Sequence, residues 1–158
     1  MKILDVRDFI IAPALNSTGL GSADAIALMT CTGYQETRYN AVRQHPGPAL
    51  GLWQIEPVTH QDIKRELKRA DHRMLCERII SACYMTCFPL DDDILIWNLR
   101  YSVLIARMVY YRHGEKLPSQ NDPVAMATYY CKYYNVRGKA KLTDVINLFT
   151  SVLNECRC

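Results

Sequence analysis

A mainly α (α+β) fold with one small β element is predicted by three features of this sequence. Apolar residues recur at helical spacing in several windows, Pro and Gly punctuate the chain between them, and one short stretch alone reads as extended. With 158 residues, 49% of them hydrophobic and 22% charged, the chain suits a single domain, 1–158, built on one core. One core implies one principal site.

Asp5 to Ala14 is a short apolar-rich opening segment ending near Pro13, and Asn16 to Gly21 reads as a turn. Ser22 is placed to cap a helix from about Ala23 to Gln35, with Asp24 in the first turn, where the helix dipole favours negative charge. His45-Pro46-Gly47-Pro48 breaks any helix, and Leu50 to Ile55 is the extended stretch. Pro57 suits the start of the next helix, which has a charged body from Asp62 to Arg69. Asp71 is placed to cap another, to about Tyr84. Asp91, Asp92 and Asp93 open a long helix ending at Gly114, apolar around much of its circumference and therefore expected to be central. Pro123 starts a helix to about Tyr134, and Thr143 is placed to cap a last one to about Asn154.

Several function classes fall away. The most apolar window, Ile94 to Tyr111, is interrupted by Asn98, Arg100 and Arg107, so no membrane insertion is expected. Charges in Met1 to Asp8 stand where an export leader would be apolar. The net charge of +3 is spread out except at Lys64, Arg65, Lys68 and Arg69, so nucleic acid is not an expected partner. Seven cysteines form an odd set without an export signal, which favours reduced thiols over a disulfide framework. Cys76, Cys83 and Cys87 should share a face of one helix as an apolar stripe. A zinc site from these and His72 lacks paired short ligand spacings, so no metal or cofactor is expected. Cys156 and Cys158 stand at the end, where they would cross-link or fray.

The chemistry points to Tyr34-Gln35-Glu36-Thr37, where the helix from Ala23 runs out. A carboxylate at the C-terminal end of a buried helix meets apolar neighbours and the negative end of the dipole. Both disfavour its charged form, so Glu36 should hold its proton near neutral pH as a general acid must. Alone, a glutamate there reads more readily as a solvated helix end. Fifteen residues on comes Gly51-Leu52-Trp53-Gln54-Ile55-Glu56-Pro57, and later Tyr133-Tyr134-Asn135.

Glu36-Thr37, the Gly51 to Pro57 element and Tyr134-Asn135, in that order, resemble the lytic transglycosylase family of the soluble-lytic-transglycosylase type, relatives of goose-type lysozyme. Tyr133-Tyr134-Asn135 followed by Gly138 also resembles the Tyr-Tyr-Asn and later Gly of stand-alone lysozyme-like proteins of tailed bacteriophages. The family's pattern is Glu-Ser, then Gly-Leu-Met-Gln with a proline soon after, then Ala-Tyr-Asn. Thr37 stands for the serine and keeps the hydroxyl. Trp53 stands for the methionine, its ring available to a sugar or to the core. The segment from Tyr134 to Gly138 lacks the small residue and the glycine directly after the asparagine.

The resemblance implies a lysozyme-like fold, the glycan strands of peptidoglycan as substrate and Glu36 as sole catalytic acid/base. The implied substrate contacts are Thr37, Trp53, Gln54, Tyr130, Tyr134 and Asn135, with Tyr134 as the tyrosine meeting Glu36 or the sugar. Tyr129, Tyr130, Tyr133 and Tyr134 otherwise read as core packing with hydroxyls at its rim. Two outcomes share one first step. A lytic transglycosylase closes a 1,6-anhydro ring and needs no second carboxylate; a hydrolytic lysozyme of the same fold directs water with one. If Leu50 to Glu56 is extended, Gln54 and Glu56 share a face opposite Trp53 and Ile55, making Glu56 the candidate second carboxylate. Asp62 and Asp91 to Asp93 read as helix-start charges, and His45, His60, His72 and His113 as surface or structural. A virion structural or glycan-binding protein that keeps the fold without catalysis is the rival from another class. In either case the chain would be made in a host cytoplasm. It would reach the periplasmic wall through a pore made by another protein or as part of a virion.

Overall fold

The computed structural model describes residues 1–136, 138 and 140–157; Arg137, Lys139 and Cys158 lie outside the described residues, and with them part of the Tyr134 to Gly138 segment and one of the two terminal cysteines. The fold is mainly helical. In chain order it comprises α1 (Ile3–Val6), a π turn (Arg7–Ile11), α2 (Ala12–Thr18), α3 (Ala23–Thr37), α4 (Pro57–Leu67) and a 3₁₀ turn (Ala70–His72). Then follow α5 (Arg73–Ala82), α6 (Ile94–Trp97), α7 (Leu99–Tyr111), α8 (Pro123–Tyr133) and α9 (Leu142–Glu155).

The core is organised around α7, in which every residue from Tyr101 to Tyr110 is buried. Against it pack α2, α3, α4 and α5, while α9 lies against α3 and α8. Among the described residues, no helix is long and apolar enough to cross a membrane. Ser22 caps α3 as expected, accepting from Ala25 N at 3.0 Å. Asp122 caps α8 by accepting from Ala125 N at 2.8 Å.

Six expectations about elements are corrected. Pro13 does not end the opening helix: Ala12 donates to Arg7 O, five residues back, and this widened turn carries the chain past a residue with no N–H to give. The long helix from Asp91 is split, because Asn98 leaves the helical region (φ −104°, ψ 88°) and its side chain accepts from Tyr101 N, capping α7. Asp71 caps nothing with its side chain, and neither does Thr143, which lies inside α9. Cys76, Cys83 and Cys87 do not form one stripe, since α5 ends at Ala82; Cys83 is buried just beyond it and Cys87 is exposed in the following loop.

The sixth correction concerns Leu50 to Ile55. Leu50 and Ile55 exchange both backbone hydrogen bonds, at 3.0 and 2.9 Å, and residues 51–54 form a tight turn between them. A second bridge joins Leu50 to Arg43. Gly51 (φ 73°) and Gln54 (φ 48°) are both left-handed, so the alternation of an extended strand is lost. The argument that put Gln54 and Glu56 on one face therefore falls.

Candidate active site

α3 delivers Glu36 in its last turn, and the chain leaves the helix through two successive left-handed residues, Arg38 (φ 51°) and Tyr39 (φ 55°). That reversal folds Tyr39 back under the helix, where its hydroxyl donates to Thr30 O at 2.8 Å. Gly33 makes the packing possible. A Cβ there would lie 2.7 Å from the Tyr39 ring and 2.8 Å from Trp53 Nε1.

The 51–54 turn is clamped onto this helix end. Trp53 Nε1 donates to Met29 O at 3.0 Å, and Thr37 Oγ1 lies 3.0 Å from Leu52 O, accepting in turn from Tyr39 N at 3.2 Å. From the other side, Tyr134 Oη donates to Trp53 O at 2.6 Å. Gln54 Nε2 closes the turn on itself by donating to Gly51 O at 2.9 Å. Gly51 has no room for a side chain: a Cβ would lie 2.3 Å from Leu95 O.

Glu36 is half-buried, and Tyr130 Oη donates to its Oε1 at 2.7 Å. Burial pushes the carboxyl up to about 7, the Tyr130 hydrogen bond pulling the other way by favouring the charged form. The carboxyl is thus balanced between its protonated and ionised states near neutral pH. Tyr130 and Tyr134 stack at 5.9 Å between centroids, and Tyr134 stacks on Tyr110 at 5.3 Å. This column of rings gives α7 and α8 a common wall beside the helix end.

No protein-family model, curated protein or solved structure matches this chain. A cleft of about 440 Å³ runs beside the end of the turn and Tyr134, lined among others by Gln54, Ile55, Glu56, Asp62 and Arg112. Glu36 is linked to this wall through Tyr130 and Tyr134 rather than lying in it.

Five of the sequence-selected residues meet in one place: Glu36, Thr37, Trp53, Tyr130 and Tyr134. Three of the contacts expected of them are corrected. Trp53 is 0% exposed, so its ring fills the core and is closed to a sugar. Thr37 spends its hydroxyl on the clamp. Tyr130, not Tyr134, bonds Glu36, because Tyr134 Oη is committed to the Trp53 carbonyl. Gln54 and Glu56 do reach the cleft, although by the turn rather than by strand alternation. Asn135 supports the loop: its backbone N–H donates to Tyr130 O at 3.1 Å, and its amide sits where a Cβ on Gly138 would be.

Asp62, which lies in the middle of α4 rather than at a helix start, and Arg112 also line the cleft; no sequence motif marks either. His60 takes the structural of its two expected roles, and Asp92 is more than a helix-start charge. Asp92 accepts from the fully buried His60 ring at 2.6 Å and from Gln61 at 2.6 Å, while His60 Nε2 meets Tyr101 Oη at 2.8 Å. Among the described residues, no group of three His, Cys, Asp or Glu is placed to hold a metal ion.

Proposed function

We propose that this chain is a lysozyme-like enzyme that cleaves the glycan strands of peptidoglycan between N-acetylmuramic acid and N-acetylglucosamine, with Glu36 as its acid/base. The observation that carries the proposal is the carboxyl at the end of α3, raised to about 7 by burial and held by Tyr130 beside the clamped 51–54 turn. Glycosidic cleavage needs a group that gives a proton and takes one back at the same pH.

Lytic transglycosylation is the favoured outcome. Protonated Glu36 gives its proton to the glycosidic oxygen as the bond from muramyl C1 to that oxygen breaks, and the 2-acetamido oxygen shares the positive charge left on C1. Ionised Glu36 then takes the proton of the muramyl 6-hydroxyl as O6 bonds to C1. The ring closes, Glu36 is protonated again and no water is consumed. Glu36 has a hydroxyl rather than a second carboxylate as its hydrogen-bond partner, which suits a one-acid scheme. Hydrolysis has one observation in its favour: Glu56 and Asp62 both line the cleft and could direct a water. The phage setting, as lysis enzyme or virion component, rests on the sequence resemblance.

The test is turbidity loss of purified cell walls with the parent chain and with Glu36→Gln, followed by mass spectrometry of the products. Clearing by the parent alone, with products one water lighter than reducing ends, is expected. Equal clearing by both proteins removes Glu36 from the mechanism, no clearing by either favours a structural or glycan-binding protein, and reducing ends mean hydrolysis.

A further inference from the structure

Beside the cleft lies a second cavity, of about 470 Å³, whose wall includes Arg107, Tyr111, Arg112, His72, Glu66 and Glu115. Arg107 is its unusual member. Only 8% exposed on the buried helix α7, it has Nε and Nη1 shut off from solvent with no hydrogen-bond partner among the described residues. Its guanidinium carbon lies 5.8 Å from the centroid of the Tyr111 ring. Buried donors without acceptors cost on the order of 1–3 kcal/mol each, more when charged, so a guanidinium left this way calls for an acceptor.

Neither carboxylate of the wall bonds it: Glu115 is paired with Lys132 at 2.9 Å, and Arg107 Nε and Nη1 have no hydrogen bond to Glu66 or to any other described residue. Arg112, exposed just beyond α7, lines this cavity and the cleft alike, so the two are neighbours. An anionic branch of a ligand in the cleft would have to pass Arg112 to meet Arg107.

We infer that this cavity is a carboxylate subsite, taking a carboxylate of the peptide stem carried by the glycan strand. The inference rests on the peptidoglycan reading for the identity of the ligand, since the stems bring carboxylates that unsubstituted N-acetylglucosamine lacks. Planar, two-oxygen acceptors match the guanidinium fork, and the Tyr111 and Leu117 side chains offer apolar surface to the rest of the stem.

The test is an NMR titration of the full chain with a stem tetrapeptide, with the same peptide after conversion of every carboxylate to carboxamide, and with inorganic phosphate, following the Arg107 Nε–H signal. The acid peptide should shift that signal and the amide peptide should not. Arg107→Gln should weaken acid-peptide binding at least tenfold. Arg112→Gln, a change at an exposed position, should weaken it several-fold and carries the test if Arg107→Gln does not fold. Equal shifts with both peptides, an equal shift with phosphate, or no shift overturns the subsite. Wall clearing separates this from the parent proposal. A chain that clears walls without the shift has lost only the subsite, and one that shows the shift without clearing has lost the enzyme reading and kept a carboxylate site.

Discussion

Tyr130 donates its phenolic proton to Glu36 across 2.7 Å, and this bond opposes the burial that raises the carboxyl. Replacing Tyr130 with Phe removes the opposing influence and leaves the burial. The Glu36 carboxyl should then rise further, by roughly one pH unit if a hydrogen bond to a charged acceptor contributes about 1.5 kcal/mol. General-acid activity in the parent should decline as pH rises through about 7, and Tyr130→Phe should carry that decline to higher pH. Wall-clearing rates from pH 5 to 9 read the shift directly. A decline at unchanged or lower pH would show that Tyr130 does not act on the Glu36 proton.

The same carboxyl has a consequence for stability. Its folded value, about 7, lies above its ordinary 4.5, so the folded chain binds the proton more tightly than the unfolded chain. Stability from this group is fully present below pH 4.5, falls as pH rises, and is lost above about 7, a change of up to roughly 3 kcal/mol. Glu36→Gln, neutral at every pH, should be more stable than the parent at pH 8 and similar to it at pH 4. Urea unfolding at the two pH values measures the difference; an equal effect at both would mean that ionisation is not its source.

Glu36 was legible in the sequence because two separate signals coincide on it, the end of a capped helix and the Gly51 to Pro57 element that packs there. The helices were legible where a local device fixes them, as Ser22 fixes α3. What escaped depends on partners distant in sequence. Nothing around Trp53 tells that its indole will cross to Met29 O and lose access to ligand. Tyr130 and Tyr134 are four residues apart on similar faces, and their roles divide only because the Trp53 carbonyl captures one of them. His60 and Asp92 lie 32 residues apart, and no periodicity relates them. The turn at Leu50 to Ile55 was misread as a strand because apolar content signals burial without fixing φ, and Gln54 adopts a left-handed conformation that its residue type does not announce.

Three glycines separate steric need from backbone need. Gly51 combines φ 73° with a Cβ position 2.3 Å from a backbone oxygen, and Gly33 would place its Cβ against the Tyr39 and Trp53 rings. Gly114 has φ 67° with nothing within 4 Å. Gly114→Ala should cost about 1 kcal/mol, the price of the left-handed conformation alone. Gly51→Ala and Gly33→Ala should each cost about 3 kcal/mol or more and loosen the turn from the helix end. Denaturant midpoints rank the three. A Gly51→Ala loss as small as that of Gly114→Ala would mean that the Leu95 segment yields easily.

His60 ties α4 to the Asp91–Asp93 loop and to α7. A carboxylate only accepts, so the His60 Nδ1–H donates to Asp92 and Nε2 accepts the Tyr101 hydroxyl proton, a neutral ring with both nitrogens satisfied. Burial lowers the His60 value below its ordinary 6.5, more than Asp92 raises it. Here the unfolded chain binds the proton more tightly. This contribution is fully present above pH 6.5 and is lost as pH falls through the folded value, opposite in sign to that of Glu36. His60→Phe strands the Tyr101 hydroxyl and should cost roughly 2–4 kcal/mol at pH 8, whereas Tyr101→Phe, which leaves one ring nitrogen unpaired, should cost about 1–2 kcal/mol. The double variant should cost less than the sum, since each single change already breaks the same bond. With His60 replaced, the acid-side loss of stability should also flatten. If that slope persists in His60→Phe, the groups responsible lie elsewhere and His60 serves only to hold the three elements together.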